Sequence, residues 1–138
     1  MYATAQDVVD RYGSELLESL LPIDATSGEP DTARLDQALA DAGALINGAL
    51  RGRYTLPLAT TPGELVRICV DLALAQLPTD GAGDAELIDR RAKAARRDLE
   101  SYARGVLTLD VEEARPAPAS GGVVIQGDSS FRAKLEDF

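Results

Sequence analysis

The segment that most constrains the fold is residues 62–77, which is apolar around nearly the whole circumference of a helix. Its apolar side chains are Leu65, Val66, Ile68, Cys69, Val70, Leu72, Ala73, Leu74 and Leu77. A helix of this kind is stable only when other elements cover several of its sides. We therefore predict that it is the central helix. Thr61, Pro62 and Glu64 predict a capping box at its start, with proline at the first helical position.

Three further helical segments are available to cover this helix. At the N-terminus, Thr4 predicts a cap, Gly13 interrupts the helical pattern and Pro22 ends it. The second segment begins at Asp31 or Thr32 and carries a stripe at spacings of three and four; the stripe is Leu35, Leu39, Ala42, Ile46 and Ala49. The third segment runs from about residue 84 to residue 104 and is followed by Gly105.

The periodicity changes near the C-terminus. Leu107, Leu109 and Val111 alternate with polar residues, which is typical of a strand, and residues 123–125 predict a second short strand. We therefore predict a mainly all-α protein, a small four-helix-type bundle over residues 1–106 with an extended arm over residues 107–138. The arm carries exposed aromatic side chains that favour docking on another protein; the expected docking residues are Val123, Val124, Ile125, Phe131, Arg132, Leu135 and Phe138.

Composition excludes several classes of chemistry. The chain has no histidine and one cysteine, so histidine-based triads, histidine-ligated metals and internal disulfides are impossible. No apolar run reaches the ~20 residues that span a bilayer, so we expect no membrane association. We expect no cofactor and no enzymatic activity, because the remaining option, paired carboxylates such as Asp7 and Asp10, lies in no recognisable acid–base pocket. Cys69 lies in the most apolar helix and is expected to be inert.

One face of the helix predicted over residues 84–104 is basic. The cations on it that could face DNA are Arg90, Lys93, Arg97 and Arg104. Acidic residues are interleaved with them, and the pairs Glu86–Arg90 and Asp89–Lys93 have the favoured i, i+4 order. The formal net charge of −9 also opposes general affinity for duplex DNA. A solvated, ion-paired face is therefore the first interpretation, and a nucleic-acid-binding module is the alternative.

Residues 51–58 form a connector with the sequence RGRYTLPL. Arg51 or Arg53 is placed to cap the carbonyl groups of the preceding helix. Tyr54, Leu56 and Pro57 are expected to fix the connector to the helical body or to a neighbouring subunit. Two glycines inside the preceding helix, Gly43 and Gly48, each cost ~1 kcal/mol relative to alanine. Such a cost is usually offset by the close approach of another helix or subunit.

Several of these segments resemble the phage Mu-like family of head–tail connector, or neck, proteins. The resemblance begins with MYAT at residues 1–4 and DVVDRYG at residues 7–13. It continues over residues 38–58, which contain INGAL and GRYTLPL, and through Pro62 and the apolar helix. It ends with FRAKLEDF at residues 131–138. The GRYTLPL segment is its most specific part.

The resemblance implies a virion protein of the phage neck that is assembled in the cytoplasm of the bacterial host. Members of such a family form a ring beneath the capsid portal and join it to the tail. The implied partners are the portal protein, the next neck (stopper) or tail-completion protein, and other copies of the chain, expected as a dodecamer. Genome DNA would pass through the ring without specific binding, which suits an acidic chain. The central helix and the two helical glycines would then offer subunit packing surfaces.

Overall fold

A computed structural model describes residues 1–78 and 84–110 of the chain. Within these ranges the chain forms five α-helices, in the order α1 (Ala5–Tyr12), α2 (Ser14–Leu20), α3 (Thr32–Leu50), α4 (Gly63–Leu74) and α5 (Ala85–Ala103). The predicted all-α class is confirmed, since the only β-type pairing in these ranges is an isolated bridge between Ile23 and Pro30. None of the described helices is both long and apolar enough to cross a membrane.

The N-terminal segment folds as two short helices. Thr4 caps α1 as predicted: its hydroxyl accepts from the N–H of Asp7, and the Asp7 carboxylate accepts from the N–H of Thr4. Gly13, at a φ of +87°, then ends α1 and donates its N–H to the carbonyl of Val9. Because this positive φ is strained for other residues, the glycine separates α1 from α2. The described body therefore has five helices rather than the four of the predicted bundle.

The centre of the fold is α4, which packs against α1, α3 and α5. Leu65, Ile68, Cys69 and Val70 are fully buried, which confirms its predicted central position. Because the other helices already cover this apolar circumference, the expectation that α4 offers a surface to another subunit is wrong. The predicted capping box is also wrong: Pro62 itself is the N-cap, and no side chain caps the helix.

The end of α5 follows a Schellman pattern. Gly105, at a φ of +80°, donates its N–H to the carbonyl of Tyr102, and Val106 donates to the carbonyl of Ser101. The predicted strand does not form over residues 107–110, because no neighbouring strand is present in the described ranges. Leu109 joins the hydrophobic core while Leu107 remains exposed, so the apolar–polar alternation does not mark one buried face.

Candidate interaction site

The connector predicted over residues 51–58 holds the end of the described chain. Tyr54 is 1% exposed, and its hydroxyl accepts a hydrogen bond of 3.0 Å from the backbone N–H of Leu109. Its own backbone N–H bonds to the carbonyl of Leu50 at the end of α3. Leu56 packs against the core, as predicted, whereas Pro57 is exposed. Tyr54 therefore holds Leu109, close to the end of the described chain, against the helical body.

Arg53 also contacts the segment that follows α5. Its guanidinium lies against Gly105, so close that a Cβ added to this glycine would be 2.6 Å from Cζ of Arg53. From the sequence we expected Arg53 near the carbonyl groups of the preceding helix, α3. In the structure its guanidinium lies instead at the C-terminal end of α5. A cation is favourable at this end of a helix, because the macrodipole and the last carbonyl groups are negative there.

The first residues of the chain pack beside this connector. The Tyr2 hydroxyl donates to the side-chain carbonyl oxygen of Asn47, and burial raises the pKa of Tyr2. A cavity of about 380 Å³ lies between Met1, Tyr2 and residues 56–58. The opening residues, the end of α3 and the connector, which carry the family resemblance, therefore meet on one side of the molecule.

The two helical glycines have different surroundings. Gly43 is buried, and a Cβ there would lie 3.6 Å from the Tyr2 ring, so the element that approaches it is the N-terminus of the same chain. Gly48 is exposed, and beyond its chain neighbours and the backbone of its own helix no atom of the described residues lies within 4 Å of a Cβ built there. Only Gly48 therefore leaves space for a neighbouring molecule.

The basic face of α5 is exposed, as the sequence predicted. Its exposed members are Arg90, Lys93, Arg97 and Arg104. Lys93 forms the expected ion pair with Asp89 at 3.0 Å, whereas no ion pair joins Glu86 to Arg90 in the described ranges. The face is therefore only partly neutralised by its own helix.

A buried polar network joins α1, α4 and α5. Asp71 is 4% exposed; it accepts a hydrogen bond from the Tyr12 hydroxyl and lies 3.6 Å from Arg67. Arg67 also pairs with Asp98 at 2.9 Å, and the Arg91 guanidinium lies 5.2 Å from the centre of the Tyr12 ring. Burial, together with the hydrogen bond to Asp71, raises the pKa of Tyr12 to about 12. Each of these charges has an internal partner, so the network fixes helix positions.

The other groups with possible chemistry are two carboxylates of α1 and one thiol of α4. Asp7 caps α1, and Asp10 accepts from the side-chain amide of Gln6, so these two carboxylates serve local helix contacts. Cys69 is buried, as expected, and this burial raises the pKa of its thiol to about 11, which disfavours the reactive thiolate. Within residues 1–78 and 84–110 no group of three potential metal ligands comes together.

The predicted docking residues of the arm lie outside the described residues. They are Val123, Val124, Ile125, Phe131, Arg132, Leu135 and Phe138.

Three residues that are notable in the structure were not predicted from the sequence. Asp71 has no signal beyond a charge within an apolar helix, whereas Leu45, outside the α3 stripe, and Ile23, inside a polar loop, are apolar residues at polar positions.

Comparison with known proteins is consistent with the resemblance. Residues 2–126 match the family described as "Bacteriophage Mu, Gp36". Gene product J of Escherichia phage Mu is 34% identical over 140 residues, covering 99% of this chain and 98% of that protein. The Mu-like prophage FluMu protein gp36 of Haemophilus influenzae is 32% identical over 113 residues, covering 82% of this chain and 78% of that protein.

Proposed function

Since the chain belongs to the Bacteriophage Mu Gp36 family, we propose that it is a structural virion protein, the connector between head and tail. It forms a ring beneath the capsid portal, joins the portal to the tail and leaves a channel for DNA. It acts by assembly and catalyses no reaction. Membership in the phage-related family is the basis of this proposal, and the connector role is our inference from it.

The observation that carries this proposal is the anchored start of the C-terminal arm. Leu109 is buried and bonded to Tyr54, and 28 residues follow Asp110. An arm that leaves a rigid helical body at a defined point can reach a second protein while the body contacts its neighbours. The two phenylalanines of the chain, Phe131 and Phe138, both lie in this arm. Aromatic side chains are enriched at the centres of protein interfaces.

We propose the remaining partners from the resemblance to the connector family. The arm binds the portal protein, and the opposite side of the ring meets the next neck or tail-completion protein. The ring is expected to be dodecameric, in the virion neck, after assembly in the host cytoplasm. A net charge of −9 lets DNA pass without being held, because polyanions gain no affinity from an acidic wall.

Truncation of the arm tests the proposal. In a phage whose own copy is inactivated, a chain ending at Asp110 should leave filled heads without attached tails and should not sediment with purified portal. Circular dichroism should show the helical body still folded, because its described contacts end at Leu109. The double variant Phe131→Ala, Phe138→Ala should weaken portal binding, with Ser129→Ala, Ser130→Ala as matched control. Normal tail attachment by the truncated chain would refute arm docking.

The alternative is a nucleic-acid-binding module that uses the exposed basic face of α5. Duplex DNA titrated at several salt concentrations should then show a steep loss of affinity with salt. Replacement of Arg90, Arg97 and Arg104 by alanine should flatten that slope, whereas replacement of Arg11 and Arg34 should not. Weak binding that is insensitive to the α5 substitutions would leave the connector role as the better account.

A further inference from the structure

An apolar groove lies open between α3 and α5. Leu72 and Leu99, both nearly buried, form its floor, and Leu45, Ala49 and Ala103 line it closer to the surface. Its volume is about 280 Å³, and Leu45 is 55% exposed although it is a large aliphatic residue. Arg96 and Glu100 also line the groove. Exposed apolar surface bordered by charged residues is typical of a protein contact.

A second exposed apolar residue lies on a rigid loop at the other end of α3. Residues 22–31 are held by a bridge between Ile23 and Pro30 and by 2.8 Å bonds from Asp24 to Glu29 and from Asp31 to Pro22. The side chain of Asp24 also accepts from the N–H of Thr26 at 2.7 Å. Ile23 is nevertheless 61% exposed. A preorganised loop loses little conformational entropy when its apolar residue is covered.

The loop and the groove have complementary charge. Residues 22–31 contain three acidic residues and no lysine or arginine. Residues 90–97 of α5 contain five basic residues and no acidic one; of these Arg96 lines the groove, together with Glu100. Of these five, Lys93 is paired with Asp89, and the structure shows no ion pair to Arg96 or Arg97 in the described ranges. Opposite potentials favour the encounter of two such surfaces.

The two surfaces cannot meet within one molecule. The loop precedes Thr32 at the start of α3, whereas Leu45 lies 13 residues further along the same rigid helix. This separation is roughly 20 Å at a rise of 1.5 Å per residue. We propose that the groove between α3 and α5 receives the acidic loop of a second copy of this chain, with Ile23 covered by Leu45 and Leu99.

This contact is heterologous, because the two copies use different surfaces. Such contacts repeat around an axis and give a closed ring when the rotation closes. The inference therefore rests on the proposed ring and identifies the surfaces that form it. It also pairs Arg96, the cation that lines the groove, with the acidic loop of a neighbouring copy.

Disulfide trapping tests the contact directly. In a Cys69→Ala background, protein with Ile23→Cys is mixed at high concentration with protein with Leu45→Cys and oxidised with copper phenanthroline. The mixture should yield a covalent heterodimer about tenfold more abundant than a control mixture of Ala59→Cys with Leu45→Cys. The double variant, Ile23→Cys with Leu45→Cys, should yield a ladder of longer covalent oligomers. Circular dichroism verifies that each variant is folded.

Two results would overturn the contact. One is an equal yield of heterodimer when Leu45→Cys is mixed with Ile23→Cys and when it is mixed with Ala59→Cys. The other is preferential linkage between two Leu45→Cys chains, which would indicate symmetric groove-to-groove packing. Sedimentation equilibrium provides an independent readout, in which association of the unmodified chain should be lost on Ile23→Asp and retained on Ala59→Asp. If Ile23→Asp phage attach tails normally, the contact fails and the connector role stands. If cross-links form but a phage that lacks this chain attaches tails normally, the connector role fails instead.

Discussion

Two apolar regions of this protein differ in what covers them. The side chains of α4 are covered by α1, α3 and α5, and Ile68 and Cys69 are fully buried. The groove between α3 and α5 is also lined mainly by apolar side chains, but Leu45 remains 55% exposed at its edge. The sequence indicated α4 as a surface for subunit packing, whereas in the structure α4 is covered and the exposed apolar side chain is Leu45. Apolar composition therefore predicts burial, and only the fold shows whether the covering partner belongs to the same chain.

Truncation of α4 should produce the largest effect. Ile68→Ala removes fully buried atoms and leaves a cavity, so the free energy of unfolding should fall by ~2–5 kcal/mol. The matched variant Leu45→Ala should change it by less than ~0.5 kcal/mol, because the side chain is already largely solvated. Urea denaturation of both variants measures the difference. Comparable losses at the two positions would contradict the distinction between covered and open surfaces.

The covered region also includes a polar contact. Tyr54→Phe removes the acceptor of the buried Leu109 N–H, and an unsatisfied buried donor costs ~1–3 kcal/mol. Tyr102→Phe is the control, because the Tyr102 side chain is also buried but its hydroxyl has no hydrogen bond among the described residues. Thermal unfolding should show a lower midpoint for Tyr54→Phe alone. Equal midpoints would mean that the Tyr54 hydroxyl does not hold the start of the arm.

Two glycines should respond in opposite directions. Gly105→Ala places a Cβ at positive φ and 2.6 Å from the Arg53 guanidinium, so it should destabilise by ~1–2 kcal/mol or more. Gly48→Ala lies in an exposed helix interior with open space around it and should stabilise by up to ~1 kcal/mol. Chemical denaturation of the two single variants provides the comparison. Stabilisation by Gly105→Ala would refute the assigned contact with Arg53.

The smallest predicted effect is the pH dependence contributed by Cys69. Burial raises its thiol pKa from 9.0 to about 11, so the folded state holds the proton more tightly than the unfolded state. The resulting stabilisation is complete below pH 9 and is lost as the pH rises through about 11. Cys69→Ala should therefore show a shallower alkaline decline in the free energy of unfolding than the unmodified chain. An identical decline in both proteins would place this thiol in contact with solvent.

Local signals in the sequence predicted local structure well. The apolar circumference of α4, the cap at Thr4 and the break at Gly13 depend on neighbouring residues, and all three are confirmed. The expected strand failed because the described ranges supply no partner strand for Leu107 and Leu109, and only Leu109 of the two is buried. The cap expected from Thr61 failed because Pro62 takes the N-cap position itself.

The interaction surfaces depended on tertiary placement and were harder to predict. Tyr54 was expected to fix the connector to the body, but its bond to Leu109 joins residues 55 positions apart. Asp71 is stabilised by Tyr12, which is distant in sequence, so its burial was not visible in the pattern. Leu45 and Ile23 were visible only as apolar residues at polar positions, a common occurrence on protein surfaces. Their significance emerged from the groove, the loop and the opposite charges around them.

Electron cryomicroscopy of the neck in an assembled particle tests the central claim most directly. The account predicts a closed ring of this chain against the portal, with the loop of residues 22–31 from each copy seated between α3 and α5 of the next. A neck that lacks the chain, or a ring in which Leu45 faces solvent while Ile23 lies away from every neighbour, would contradict it.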